Sequence, residues 1–222
     1  MKKFFLLLIL STTLVFAGCG ADNLSIVKQN IVEHRDAYYI HQTDEHIITY
    51  VAGMREEPYY ADGVVGEMVE FGILTFTPAK TLNYESLNYF VVIDNIEYEG
   101  LLEKSDFQKG FVVDLEKCVD NNSTISVRVF EDDVEVQGTL KCASKDFAIT
   151  QDTALQTAYS TLSTQIKSHI NKSKFCGEVY IKIWKDFSSE ADYFWYIGIV
   201  CERETLGVLI STQTGEVLSV KK

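Results

Sequence analysis

Proline is scarce, 2 in 222 residues, so a Pro-rich linker or polyproline segment is excluded. Basic side chains are also few: 20 Lys and Arg stand against 32 Asp and Glu, a formal charge of −12. No Lys/Arg cluster beyond short pairs is present to neutralise phosphates, which excludes nucleic acid as an expected partner. No apolar run is long and uninterrupted enough to be read as a spanning helix. The chain also lacks C-x-x-C, H-E-x-x-H, a phosphate loop, a nucleophile elbow and a dinucleotide fingerprint, leaving no motif on which to assign a metal, a cofactor or a catalytic residue. What is abundant is apolar surface: 46% of residues are hydrophobic, enough for a real core, and disorder throughout is excluded.

The first 18 residues differ in kind from the rest. Lys2 and Lys3 form a basic start, Phe4 to Leu10 is an unbroken apolar run, and small residues follow. This is the layout of a secretory signal. Ala17-Gly18-Cys19 resembles the lipobox of bacterial lipoproteins, which implies that residues 1–18 are removed and that Cys19 is lipidated as the new N-terminus. Phe16 departs from the Leu common in that motif, so ordinary signal cleavage stays open. The implied location is the outer face of a bacterial membrane, in the cell envelope. Removal of residues 1–18 takes away two lysines and no acid, so the exported body is more acidic still. Anionic lipid repels such a body, and the expected membrane attachment is the acyl group itself.

Beyond Cys19 the expected class is mainly β with an α+β part. Leu24, Val27 and Ile31 recur at helical spacing, predicting a short helix within residues 19–35. From 36 to 145 the period becomes two. Short β-branched or aromatic runs, bounded by Gly, Asn, Asp or Pro, predict six or seven strands in an antiparallel β-sandwich. An immunoglobulin-like topology is the expected arrangement, although no Cys…Trp…Cys signature accompanies it. From 146 to 222 the spacing of Leu155, Tyr159, Leu162, Ile166 and Ile170 predicts a helix, followed by four strand-like runs in an antiparallel meander. The helix, the meander and the closing Thr214-Gly215-Glu216-Val217-Leu218 resemble a PepSY-type or cystatin-like module over about the last 75 residues. The resemblance implies a binding or regulatory role, including modulation of peptidases, and carries over no functional residue.

A register that sets Trp184 opposite Tyr193 places Cys176 opposite Cys201, and a second hairpin brings Cys118 near Cys142. Two disulfides are therefore expected after export, with four reduced thiols as the alternative. The same register puts Tyr180, Trp184, Tyr193 and Trp195 on the face away from the helix. These aromatics either dock on the sandwich, the favoured expectation, or bind a partner.

The loop from Arg55 to Gly63 gathers Glu56, Glu57 and Asp62 with Arg55, Tyr59 and Tyr60. It is a candidate binding site, or else a solvated acidic loop. His41 and His46 flank a tight turn but lack a third ligand, so no metal site is assigned. The favoured function is a lipid-anchored binding or interaction protein without cofactor or catalytic activity, acting on a protein or peptide partner. The alternatives are a surface hydrolase using the loop carboxylates and a structural envelope component.

Overall fold

Alternation of apolar and polar side chains drives most of this chain into strands. The computed structural model describes residues 23–222 apart from positions 61, 108, 187–191 and 203. The leader and Cys19 lie outside the described residues. Helix α1 (Asn23–Lys28) comes first, followed by β1 (Ile31–Gln42), β2 (His46–Glu56), β3 (Met68–Pro78), β4 (Ser86–Ile93), β5 (Ile96–Lys104), β6 (Phe111–Asp114), β7 (Ile125–Glu131) and β8 (Val134–Cys142). A 3-10 turn over Ser144–Asp146 leads to α2 (Gln151–Thr161), α3 (Ser163–Ser168) and a small hairpin of β9 (Ile170–Asn171) and β10 (Lys174–Phe175). The chain then runs through β11 (Gly177–Lys185), β12 (Tyr193–Cys201), β13 (Glu204–Ser211) and β14 (Val217–Lys221). The first helix is shorter than its sequence periodicity implies, because Ile31 opens β1.

The strands β1-β2-β3-β6-β5-β4-β7-β8 are successive antiparallel neighbours, and β8 returns to β1 with Tyr39 opposite Cys142 and Ile40 opposite Lys141. This closes an eight-stranded barrel. The expected β-sandwich and its immunoglobulin-like topology are thereby corrected. Period-two alternation specifies one buried face per strand, and a barrel lumen satisfies it as well as a pair of packed sheets does. In β4, Leu87, Tyr89, Val91 and Ile93 all point inward. With Tyr39, Tyr50, Leu74, Phe76 and the Ile125, Val127 and Val129 row of β7 they fill the lumen as a packed core. The Tyr39 hydroxyl donates to the carbonyls of Asp120 and Ser123, and that of Tyr50 to the Lys117 carbonyl at 2.6 Å. Both phenols thus fasten the 115–124 connection to the barrel. Burial pushes both above the usual phenol range, so they remain protonated donors.

The expected separate helix-and-meander unit is corrected as well. Strands β11, β12, β13 and β14 are antiparallel neighbours in that order, but β11 pairs in parallel with the start of β1, so they extend the barrel's own sheet to twelve strands. Strand β1 is shared. Its residues 31–34 face β11, its residues Tyr39 and Ile40 face β8, and β2 accompanies it along its other edge. The switch falls at an irregularity between Arg35 and Ala37, where an extra residue bends the strand. Tyr38 then points into the core under α2 and α3, while its neighbour Tyr39 points into the barrel.

On the outer strands, Val179, Ile181 and Ile183 lie beside Ile199, Ile197 and Trp195 and pack on Ala154, Leu155, Ala158, Leu162 and Ile166 of the helices. The Thr150 hydroxyl caps α2 by accepting from the Thr153 amide. The observed register sets Trp184 opposite Phe194, one residue from the expected pairing. A one-residue slip turns every side chain of a strand over. Trp195 is therefore buried at 4% exposure, its indole N–H donating to the Ile149 carbonyl at 2.8 Å, and Tyr193 packs edge-on against Tyr38. Gly198 and Gly207 stand opposite one another beneath the Tyr196 ring.

The β1 bend brings the His34 carbonyl to 1.9 Å from where a Cβ on Gly53 would stand. Gly53→Ala is expected to cost about 3 kcal/mol, the upper end for overpacking, because the obstacle is backbone. Urea unfolding checks this; a loss under about 1 kcal/mol would contradict so close an approach.

Candidate functional site

The Arg55–Gly63 segment leaves the end of β2 and crosses to the outer strands. What receives it is Glu178, the second residue of β11, only 3% exposed. A buried carboxylate must have its lone pairs occupied. The Tyr59 hydroxyl donates to Glu178 Oε2 at 2.7 Å, the Tyr180 hydroxyl lies 3.0 Å from that oxygen and 2.8 Å from the Tyr59 hydroxyl, and the Gly63 amide donates to Oε1 at 3.2 Å. The Asn30 side chain completes the attachment by donating to the carbonyls of Gly63 and Gly177, each at 2.9 Å. Burial raises both phenols; Tyr180 is raised further by its bonds to Tyr59 and Glu178, and Tyr59 by its bond to Glu178 against a lowering from Tyr180. Both phenols therefore stay protonated and serve as donors beside Glu178.

The sequence-selected loop residues separate into two groups. Glu56 is buried at 4% exposure, with Oε1 accepting from the Gly66 amide at 2.8 Å. Arg55 bridges Glu57 at 2.9 Å and Asp114 at 2.7 Å, over the Phe71 ring. Asp62 accepts from the Val64 amide at 2.9 Å within its own turn. The three carboxylates thus make separate contacts and do not converge. The tyrosines behave differently: Tyr59 and Tyr60 are 51% and 61% exposed, and Tyr59 reaches the open sheet face through Glu178 and Tyr180.

That face carries Tyr180, Lys182 and Trp184 from β11 beside Phe194 and Tyr196 from β12. Trp184 is 61% exposed, so the expected docking of this face onto the rest of the protein is corrected. Tyr193 and Trp195 are on the helix side and do not join it. Lys182 lies over the Tyr180 ring and pairs with Glu33 at 2.9 Å. Burial alone would raise the Glu33 carboxyl, but Arg35 and Lys182 together hold it below the usual carboxylate range.

The two expected disulfides are corrected: Cys118, Cys142, Cys176 and Cys201 carry free thiols. The register slip sets Gly177, not Cys176, opposite Cys201, leaving Cys176 exposed and Cys201 buried. Burial, then Glu204 and Cys176, push the Cys201 thiol up to about 11. Cys142 instead contacts the Asn121 side-chain oxygen at 3.5 Å. His41 and His46 do stack across the β1–β2 turn, 5.6 Å between ring centroids, and burial, then His41, lower the His46 imidazole. No cluster of three or more His, Cys, Asp or Glu suited to a metal occurs among the described residues.

Sequence reasoning missed Glu178 and Asn30. An acid at the start of a strand whose inward positions are Val179, Ile181 and Ile183 is the one signal that could have drawn attention to Glu178, but its burial depends on a loop 115 residues away. No protein-family model, curated protein or solved structure matches the chain.

Glu178→Ala deprives Tyr59, Tyr180 and the Gly63 amide of their common acceptor. The expected loss is about 3 kcal/mol, with faster proteolytic cutting within residues 57–66. Thermal unfolding and limited proteolysis check this; an unchanged cleavage rate would show that the loop is held by something else.

Proposed function

We propose that this protein is an exported, lipid-anchored binding protein of the cell envelope that takes up a protein or peptide partner on the open face of the outer strands. Its working surface is Trp184 and Tyr180 of β11 with Tyr59 and Tyr60 of the fastened loop. The observation that carries this reading is the Glu178 attachment, which holds the Tyr59 and Tyr180 rings in place beside the sheet. Rings fixed before binding lose little conformational entropy on contact, which is why aromatic side chains anchor interfaces. The separate contacts of Glu56, Glu57 and Asp62 favour this reading over a carboxylate-dependent hydrolase, which needs two carboxyl groups facing one bond. The partner's charge follows from the body's own: an acidic surface speeds encounter with a cationic chain and repels an acidic one. The reading requires no cofactor.

The test is a titration of the protein with Lys- and Arg-containing peptides and with acidic peptides of equal length, read by isothermal titration calorimetry. Cationic peptides are expected to bind, and Trp184→Ala to weaken them about thirty-fold, as loss of a central tryptophan anchor does, with little change in melting temperature. Unaltered binding by Trp184→Ala would contradict the assignment of this face, and turnover of a peptide or glycan abolished by replacing Glu56, Glu57 or Asp62 would favour the hydrolase.

A further inference from the structure

Charge is unevenly distributed along this acidic chain. From Thr153 to Gly177 there is no Asp or Glu, and the only charged side chains are Lys167, Lys172 and Lys174. From Asn23 to Val32 the only charge is Lys28. The fold puts these two stretches side by side. Ile26 and Val27 of α1 share a core with Ile166 of α3 and Phe175 of β10. Asn30, two residues past α1, donates to the Phe175 carbonyl at 3.3 Å, and Lys28 pairs with Asp152 at 2.9 Å. The start of the described chain is therefore seated against the β9–β10 hairpin.

The three remaining lysines of this region are exposed. Two acidic side chains that reach it are already engaged, Asp152 with Lys28 and Glu204 with His169. The solvent side of α2 and α3 is otherwise hydroxyl and amide: Gln156, Thr157, Ser160 and Thr164 carry no charge. The hairpin turn is unusual too. Lys172 and Ser173 both have positive φ, 47° and 63°, in a two-residue turn that Asn-Gly adopts with less strain. The backbone accepts that strain while projecting a lysine from the tip.

We propose that this surface, comprising α3 and the β9–β10 hairpin beside α1, faces the membrane and binds anionic lipid headgroups through Lys167, Lys172 and Lys174. The inference rests on the reading of Cys19 as the lipidated residue. Four residues from Cys19 to Asn23 span at most about 14 Å, so an acyl group on Cys19 holds the start of α1 within that reach of the headgroups. Tethered there, the body turns toward the bilayer the side whose charge is complementary to it. Each lysine near an anionic surface contributes about five-fold to the preference for that orientation, so the three together outweigh random tumbling by roughly a hundred-fold. The acidic remainder of the body then points outward.

The test uses the mature protein, purified from membranes and reconstituted into vesicles of neutral phosphatidylcholine or of phosphatidylcholine with phosphatidylglycerol. An amine-acylating reagent that does not cross bilayers is applied, and labelling at each lysine is read by peptide mass spectrometry. Lys172 and Lys174 are expected to label about five-fold more slowly in the anionic vesicles, with Lys80 and Lys109 of the barrel unchanged, and 1 M salt is expected to abolish the difference. Equal labelling in both vesicles, with the Cys19 peptide found acylated, would overturn the membrane-facing assignment alone. A Cys19 peptide without an acyl group would overturn the anchor reading and this inference with it.

Discussion

The whole architecture depends on the sharing of β1 among three neighbours. One strand cannot pair with both β8 and β11 along the same edge over its full length, because each backbone N–H and C=O is used once. The irregularity between Arg35 and Ala37 divides that edge: the first part belongs to β11 and the second to β8. Closure of the barrel and attachment of the outer strands are thus two uses of one bent strand. Because side chains alternate along it, Tyr38 and Tyr39 enter different cores, and packing in either core constrains the same backbone.

This arrangement positions the functional surfaces. The end of β2 lies next to the start of β1, and the start of β1 lies next to β11, so the loop after Glu56 has only to cross one strand to reach Glu178. The carboxylate it meets is buried and fully occupied, which keeps Tyr59 and Tyr180 in contact and leaves Tyr60 and Trp184 open. In the proposed reading, α3 and the β9–β10 hairpin turn toward the membrane, and Trp184, at the far end of β11 from that hairpin, lies away from it. The membrane-facing proposal draws on an asymmetry of charge, an acidic body whose longest acid-free stretch, Thr153 to Gly177, folds beside its first helix.

Much of the strand content was legible from residues alone, because Ile125, Val127 and Val129 alternate with Ser126 and Arg128, and Val134, Val136 and Leu140 with Glu135, Gln137 and Thr139. Whether such strands close into a barrel was not legible, since closure rests on Tyr39 and Ile40 meeting residues about a hundred positions later. The β11–β12 register missed by one because no Asn-Gly or Asp-Gly turn lies between these strands to fix it, and both faces of β12 carry aromatic side chains. That single step moved Trp195 from the open face to the core and separated Cys176 from Cys201. Tyr59, Tyr60, Tyr180 and Trp184 were identifiable as unusual. Their meeting point was not, because Glu178 becomes a partner only when the loop lands on it.

The shared strand is tested most directly by hydrogen exchange measured by mass spectrometry across a urea series, comparing peptides from β4 with peptides from β12. If β1 joins the barrel and the outer strands into one cooperative unit, both sets lose protection at the same urea concentration and with the same slope. Opening of β12 at clearly lower urea, while β4 stays protected, would contradict the account and make the outer strands an independently folding unit.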